Sequence, residues 1–238
     1  NRSMTAQPPV WEDSRLIPLR DENPTQSPPV ITVLLILLNC LFFGYELSLL
    51  MESTEGLNRF IAQWGFVPET FTAGNIHGLV TMFTSMFLHG GYLHLGSNML
   101  FLWVFGDNIE DELGSSRFLL FYLACGLAGA LGQYVVAPNS TVPLIGASGA
   151  IAGVLGAYFL LYPTARVLTA VIFVIFIRLI YLPAWILLGF WIFLQLLQGT
   201  VSLGASSPVG NVAWFAHLGG FLAGAAMIFF FRLRRLRT

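Results

Sequence analysis

Over residues 118–231 the chain runs for 114 residues with only two charged side chains, Arg166 and Arg178. Soluble domains carry about 25% charged residues, which cover their surface. The whole chain of 238 residues is 56% hydrophobic and 10% charged, with a mean hydropathy of +0.75. This composition excludes a soluble globule, a disordered chain and a disulfide-based scaffold, and it predicts an integral membrane protein.

Six apolar segments are long enough, or nearly so, to cross a bilayer, which takes roughly 20 residues of helix. They comprise residues 30–51, 92–105, 118–136, 146–162, 183–199 and 212–231. We therefore predict an all-α membrane protein whose domain, residues 30–232, is a bundle of six transmembrane helices.

The arginines orient this bundle. With six spans and the N-terminus inside, ten of the 11 basic residues face the cytoplasm and only Arg59 faces out, as the positive-inside rule requires. Both termini are then cytoplasmic. Residues 1–29, rich in proline and polar side chains, are expected to be a disordered tail, and residues 233–238 a basic tail.

Two further apolar segments, residues 57–66 and 167–182, are not assigned as spans. Residues 57–66 have the spacing of a helix that lies in the membrane surface. Residues 167–199 are too long for one span and short for two, and Pro183 is expected to break any helix there. We therefore assign 183–199 as the fifth span and place 167–182 at the cytoplasmic interface.

Four polar side chains lie inside the predicted spans, where their cost usually marks function. They are His94, Asn98, Ser148 and His217. All four belong to the second, fourth and sixth spans, near the outer ends. At 1.5 Å per helical residue, Ser148 and His217 both lie about 8 Å below the outer surface. The four groups can therefore meet at one depth, and the polar loop 137–143 would admit water.

Small residues indicate which spans touch. Two pairs of glycines are spaced by four residues, a pattern that lets helix backbones approach closely in lipid: Gly149 with Gly153, and Gly220 with Gly224. His217 lies on the same helix face as the second pair. A close seam between the fourth and sixth spans would bring Ser148 and His217 together.

Such a pair permits nucleophilic catalysis, because a serine hydroxyl needs a base, most often histidine. Asn98, His94 and the backbone N–H of Ser148 could stabilise an oxyanion. The inner parts of the spans contain no Asp or Glu, which leaves a Ser-His dyad rather than a triad. A channel or transporter would need intramembrane carboxylates, for which Glu46 is the one candidate.

Four motifs together resemble those of rhomboid intramembrane serine proteases. Three are the signature motifs: HGGYLHLGSN at 89–98, GASG at 146–149 and AHLGGFLAG at 216–224. The fourth, GDNIEDELG at 106–114, is similar to the family's exit from the second span. The match covers about residues 60–230 in the family's order.

The resemblance implies a Ser148–His217 dyad, with an oxyanion site formed by His94, Asn98, the Ser148 N–H and the main chain of Gly146. His89 would hold its loop. The substrates would be single-spanning membrane proteins cut near the outer membrane face, with span 183–199 as gate and residues 200–211 as cap.

Lipid is the other expected partner. No metal or cofactor is implied, and the net charge of −1 without a basic stripe argues against nucleic acid. We expect a multi-pass protein of the plasma membrane, namely a bacterial inner membrane. The alternative is an inactive rhomboid-like protein that binds transmembrane helices without cutting them.

Two positions depart from the family pattern. Many members carry a Trp-Arg pair in the first loop, where this chain has Val80 and Thr81. Some members place an aromatic residue four positions after the serine, stacked on the catalytic histidine, where this chain has Ala152. We therefore expect His217 to be held by other packing.

Overall fold

The computed structural model describes residues 16–72, 74–173, 176–204 and 213–235. The elements follow in chain order: β1 (Leu16–Asp21), α1 (Val30–Glu52), α2 (Thr54–Trp64), α3 (Pro68–Thr72), α4 (His77–Thr84), α5 (Tyr92–Leu113), α6 (Ser115–Val136), α7 (Ser148–Leu161), β2 (Arg166–Phe173), β3 (Phe176–Pro183), α8 (Ala184–Gly204) and α9 (Trp214–Arg235). The six predicted spans overlap six helices, one each and in chain order: α1, α5, α6, α7, α8 and α9.

In the described part of the chain, four helices are both long and apolar enough to cross a membrane: α1, α6, α8 and α9. Helix α7 is apolar but has only 14 residues. Helix α5 begins where the second span is predicted but continues through four acidic residues to Leu113. A mostly helical, multi-pass membrane protein is thereby confirmed, while the count of six spans and the orientation of the termini remain predictions.

The segment N-terminal to α1 is structured. Strand β1 pairs antiparallel with β2, and Asp21 accepts a hydrogen bond of 2.6 Å from the hydroxyl of Tyr158. The backbone N–H groups of Gln26 and Ser27 donate to the carboxylate of Asp111. The prediction of a disordered tail is therefore wrong for residues 16–29, because β2 pairs with residues 16–21 and Asp111 accepts from the backbone of residues 26 and 27. Residues 1–15 lie outside the described residues.

A three-stranded antiparallel sheet, in the order β1-β2-β3, corrects the all-α class. The segment 167–182, which we expect at the cytoplasmic interface, contributes most of the antiparallel strands β2 and β3. Its Val, Ile, Thr and Phe residues favour strands. Beyond the pair Arg166–Pro183, the N–H of Ala184 donates to the carbonyl of Ala165. The sheet lies where α7 ends and α8 begins, which is the predicted cytoplasmic end.

The start of α1 is held by a carboxylate of α5. Glu110 accepts hydrogen bonds from the N–H groups of Ile31 and Thr32 (2.9 and 2.8 Å), the hydroxyl of Thr32 (2.9 Å) and the hydroxyl of Ser115 (2.6 Å). The first N–H groups of a helix have no partner within that helix. This one side chain therefore fastens α1, α5 and the beginning of α6 together.

Helix α7 occupies the centre of the bundle. Every residue from Ala150 to Tyr158 is buried, which explains why this helix is apolar on all sides. Helix α2 covers most of the predicted surface helix 57–66 and has no buried residue. Phe66 differs: it is fully buried and exchanges backbone hydrogen bonds with Leu144, so it lies outside the helix.

The structure also moves the boundary of the predicted C-terminal tail. Helix α9 continues to Arg235, so residues 233–235, predicted as part of a basic tail, are helical. Residues 236–238 lie outside the described residues, as do residues 205–211 of the predicted cap.

Candidate active site

Helices α7 and α9 touch through their backbones. A Cβ atom on Gly224 would lie 2.0 Å from the carbonyl oxygen of Gly153, and one on Gly156 would lie 2.1 Å from the carbonyl oxygen of Phe221. Only glycine permits this separation, because no side chain fits between the two helices. The structure therefore forms the seam that the spacing of the glycines predicts.

Helix α6 packs into the same contact. A Cβ atom on Gly129 would lie 2.8 Å from the carbonyl oxygen of Ala216, and one on Gly132 would lie 2.7 Å from that of Phe215. The predicted seam does not include α6, although the small residues of α6, among them Gly129 and Gly132, are of the kind that lets helices pack closely in a membrane. Helix α9 therefore packs closely against both α6 and α7, through glycines on each of these two helices.

Ser148 and His217 meet at the outer end of this seam. Ser148 is the first residue of α7 and His217 lies in the first turn of α9. The Oγ atom of Ser148 is 2.8 Å from Nε2 of His217. His217 is buried, with 3% exposure, whereas Ser148 is half-buried and faces a pocket. The arrangement can transfer a proton from the hydroxyl to the ring.

The other ring nitrogen of His217 also has a partner. Its Nδ1 lies 2.6 Å from Oε1 of Gln195, a buried residue of α8. The sequence pattern does not single out Gln195, because one glutamine in an apolar helix has no motif around it. The polar character of this residue inside a predicted span is the signal that could have found it.

An aromatic ring packs against the imidazole from α8. The ring centroid of Trp191 lies 5.8 Å from that of His217, at an interplanar angle of 40°. Ala152, one turn after Ser148, is fully buried and its Cβ faces Gly220 instead. The packing that holds His217 therefore comes from α8, and not from α7.

The residue before the turn into α7 shapes the predicted oxyanion site. Gly146 has a φ of +122°, which side chains rarely adopt, and its N–H donates to the carbonyl of Ser85 at 2.8 Å. A Cβ atom there would lie 2.7 Å from Nε2 of His94 and 3.7 Å from Nδ2 of Asn98. The structure therefore brings these three predicted residues together.

The amide of Asn98 is available for a ligand. Asn98 is buried, and its Nδ2 atom has no hydrogen-bond partner among the described residues. Buried polar groups are nearly always paired, so an unpaired donor at a pocket indicates a site for an acceptor. The first N–H groups of α7, which begins at Ser148, also lack partners within their helix.

His89 lies behind His94. The two rings pack edge to face, with centroids 5.0 Å apart. The backbone N–H of His89 donates to both carboxylate oxygens of Glu46, at 3.2 and 3.1 Å. Glu46 therefore anchors the start of the 89–98 motif, which argues against a role for this carboxylate in a transport path.

A small pocket opens beside Ser148. Its lining is apolar apart from two serines and an asparagine, and it comprises Ser97, Asn98, Phe101, Ser148, Ile151, Leu155 and Trp191. Within the described ranges, no group of three or more His, Cys, Asp or Glu residues is placed to hold a metal ion.

A comparison with family models identifies the chain. The model of the Rhomboid domain matches residues 77–234, about two thirds of the protein. The chain belongs to the rhomboid family. The matched region contains Asn98, Ser148, Gln195 and His217, and it excludes β1, α1 and α2.

Individual rhomboid relatives agree. The chain is 32% identical to Rhomboid protease GluP of Bacillus subtilis over 197 residues, which are 82% of this chain and 34% of GluP. It is 31% identical to the mitochondrial Rhomboid protein 1 of Saccharomyces cerevisiae over 170 residues, 70% of this chain and 44% of that protein. This rhomboid chain spans less than half the length of the curated relatives it matches.

A third relative is the mitochondrial presenilin-associated rhomboid-like protein of Bos taurus, 30% identical over 148 residues, 60% of this chain and 36% of that protein.

The first loop departs from the rhomboid pattern at Val80 and Thr81. Thr81 is buried in α4, and its hydroxyl donates to the carbonyl of Gly78. Here the loop is instead held by contacts such as that of Glu46 with His89.

Proposed function

We propose that this rhomboid is an intramembrane serine endopeptidase, with Ser148 as the nucleophile and His217 as the base. The observation that carries the proposal is the 2.8 Å contact between Ser148 Oγ and His217 Nε2. A serine hydroxyl becomes an effective nucleophile when such a base removes its proton. The relative GluP is named as a rhomboid protease, which supports the same reaction.

In the first step, Ser148 Oγ forms a bond to the carbonyl carbon of the scissile peptide, and its proton moves to His217 Nε2. The carbonyl oxygen then carries the negative charge. As the C–N bond breaks, His217 gives the proton to the leaving amine. A water molecule next attacks the resulting ester with the same proton transfers, which releases the second product and restores Ser148.

The developing negative charge needs donors placed in advance. Three groups fit this role: the unpaired Nδ2 of Asn98, the ring of His94 that lies against Gly146, and the N–H of Ser148 at the start of α7. A helix N-terminus adds a partial positive charge at the same point. The main chain of Gly146 borders the site.

The substrates proposed are single-spanning membrane proteins. The apolar walls of the pocket, including Phe101, Ile151 and Trp191, suit a segment that arrives from lipid. A helical peptide bond is hydrogen-bonded within its helix, so the segment must unwind before the serine can reach it. With both termini in the cytoplasm, the cut falls near the outer face of the plasma membrane.

A fluorophosphonate probe, which reacts with activated serines, tests the proposal on the full chain in detergent. We expect labelling of the wild-type protein and none of Ser148→Ala. The matched control is Ser48→Ala, because Ser48 lies on α1, is exposed, and its hydroxyl donates to the carbonyl of Tyr45 on the same helix. It should label like the wild type.

Cleavage of a single-spanning reporter in proteoliposomes completes the test. The wild type and Ser48→Ala should cut the reporter, and Ser148→Ala should not. Unchanged labelling or cleavage in Ser148→Ala would overturn the nucleophile. A folded wild type that binds the reporter without labelling or cleavage would favour the alternative, an inactive protein that binds transmembrane helices.

A further inference from the structure

Gln195 makes a contact that a serine–histidine pair does not require. It is buried, with 1% exposure, although it lies on an apolar helix whose neighbouring residues Leu196 and Leu197 are exposed. Its Oε1 atom lies 2.6 Å from Nδ1 of His217. Burying an amide in a membrane helix is costly unless it makes a hydrogen bond, so this contact accounts for its inward position.

We propose that Gln195 is the positioning residue that selects the working tautomer of His217, and that α8 thereby holds the base in its active orientation. This inference rests on the proposed protease function. An amide oxygen only accepts, so Nδ1 of His217 carries the hydrogen. Nε2 then presents its lone pair to the hydroxyl of Ser148. The opposite tautomer would point an N–H at Ser148 and could not act as a base.

The packing around His217 explains why this support comes from α8. Ala152, where some rhomboids have an aromatic residue, is too small to cover the imidazole. Trp191 covers it instead, and Gln195 bonds to it. These two residues are four positions apart and so lie one turn apart on the same face of α8. One helix face therefore replaces the missing aromatic contact.

A consequence concerns movement of α8. Both contacts that orient His217 come from this helix, whereas Ser148 lies on α7. A displacement of α8 that separates Gln195 from Nδ1 would break the hydrogen bond that selects the tautomer of His217. It would not alter the glycine seam between α7 and α9. In this proposal, the position of α8 therefore determines whether His217 is held in the tautomer that can act as a base.

Gln198 provides the matched control. It lies almost one turn further along α8, is half-buried, and its Oε1 has no hydrogen-bond partner among the described residues. Replacing either glutamine with leucine removes an amide from the same helix. Only Gln195→Leu removes a partner of His217.

The experiment measures kcat, KM and the pH profile of reporter cleavage in proteoliposomes. For histidines that bind a metal, loss of the group that orients the ring costs roughly 10- to 100-fold, and we take the same range for this catalytic ring. We expect Gln195→Leu to lower kcat by that factor with KM nearly unchanged, and Gln198→Leu to match the wild type. A melting curve for each variant checks that it is folded.

Gln195→Glu should change the pH dependence of kcat, which a merely structural role of Gln195 would leave unchanged. Its carboxylate still accepts from Nδ1–H and stabilises the protonated ring, so activity should recover and the acid limb of kcat should shift to higher pH. His94 on α5, the other titratable group acting on His217 among the described residues, is the same in every variant.

The outcomes separate the two proposals. An active wild type with unchanged kcat in Gln195→Leu, or with no pH shift in an active Gln195→Glu, would overturn the role of Gln195 while the protease assignment stands. A folded wild type without labelling at Ser148 would instead overturn the proposed function.

Discussion

Gly220 on α9 lies against the carbonyl oxygen of Gly149 on α7, so closely that a Cβ atom at position 220 would stand 1.9 Å from that oxygen. Ser148 directly precedes Gly149, and His217 lies one turn before Gly220. The contact that lets the two backbones touch therefore also sets the distance between the hydroxyl and the imidazole.

Gly220→Ala should separate these helices. The new methyl group overlaps a carbonyl oxygen, which belongs to the backbone and cannot rotate away, and overpacking of this kind costs about 1–3 kcal/mol or more. We expect a lower melting temperature and loss of fluorophosphonate labelling. Gly44→Ala is the control, because a Cβ atom there meets nothing within 4 Å. Normal labelling in Gly220→Ala would contradict this view of the seam.

Asn98→Ala should slow cleavage while leaving the fold intact. Losing one oxyanion donor costs on the order of 10²-fold in kcat, and no group in the described part of the chain would lose a hydrogen bond from Nδ2 of Asn98. Steady-state kinetics measure the effect. As a contrast, Asn39→Ala removes a buried amide that donates to the carbonyl of Leu35 within α1. That variant should keep its kcat, and a similar loss in both would argue against a direct role for Asn98.

Gly146→Ala should abolish activity. Its φ of +122° disfavours any side chain, and the methyl group would meet Nε2 of His94 at 2.7 Å. The ring of His94 and the start of α7 would have to move apart. Gly90→Ala is the matched control, because its methyl group would make an ordinary contact of 3.7 Å with the same ring. Reporter cleavage by both variants decides the point, and equal activity would exclude the clash.

Glu110→Ala should destabilise the protein. It leaves the buried N–H and hydroxyl of Thr32 and the N–H of Ile31 without their acceptor. Unsatisfied buried donors cost about 1–3 kcal/mol each. We expect a clear fall in melting temperature in detergent. Glu69→Ala, at an exposed position of α3, should change it little, and equal effects would refute the role of Glu110 as a clamp.

The docking of β1 should depend on pH. Burial raises the pKa of Asp21, and burial together with the charge of Asp21 raises the pKa of Asp107 to about 6. Both carboxyl groups bind a proton more tightly when β1 is docked than when it is free. Docking is therefore most favourable below a pH of about 4, the pKa of a free Asp, and weakens as the pH rises through about 6, the raised pKa of Asp107.

Hydrogen exchange of residues 16–21, corrected for intrinsic rates, measures this effect. We expect more protection at pH 5 than at pH 8, and a smaller difference in Asp107→Asn. Protection that increases with pH would have the wrong sign and would contradict the prediction.

The strands illustrate a limit of prediction from sequence. Residues 16–21 belong to segment 1–29, whose prolines and polar side chains suggest a tail, and they form a strand because β2 lies beside them. Likewise, the hydrogen bonds from Thr32 to Glu110 join residues 78 positions apart. Neither partner carries a local pattern that points to the other.

The sequence by itself determined the features that depend on local composition and period: the apolar helices, the glycine rows, and the polar residues near the helix ends. From these the approach of Ser148 to His217 could be predicted. The tertiary structure decided which side chain reaches the far nitrogen of His217, how α6 enters the seam, and where β1 docks. These contacts depend on how each helix is rotated against its neighbours, which is set by packing across the whole bundle and not by any one segment.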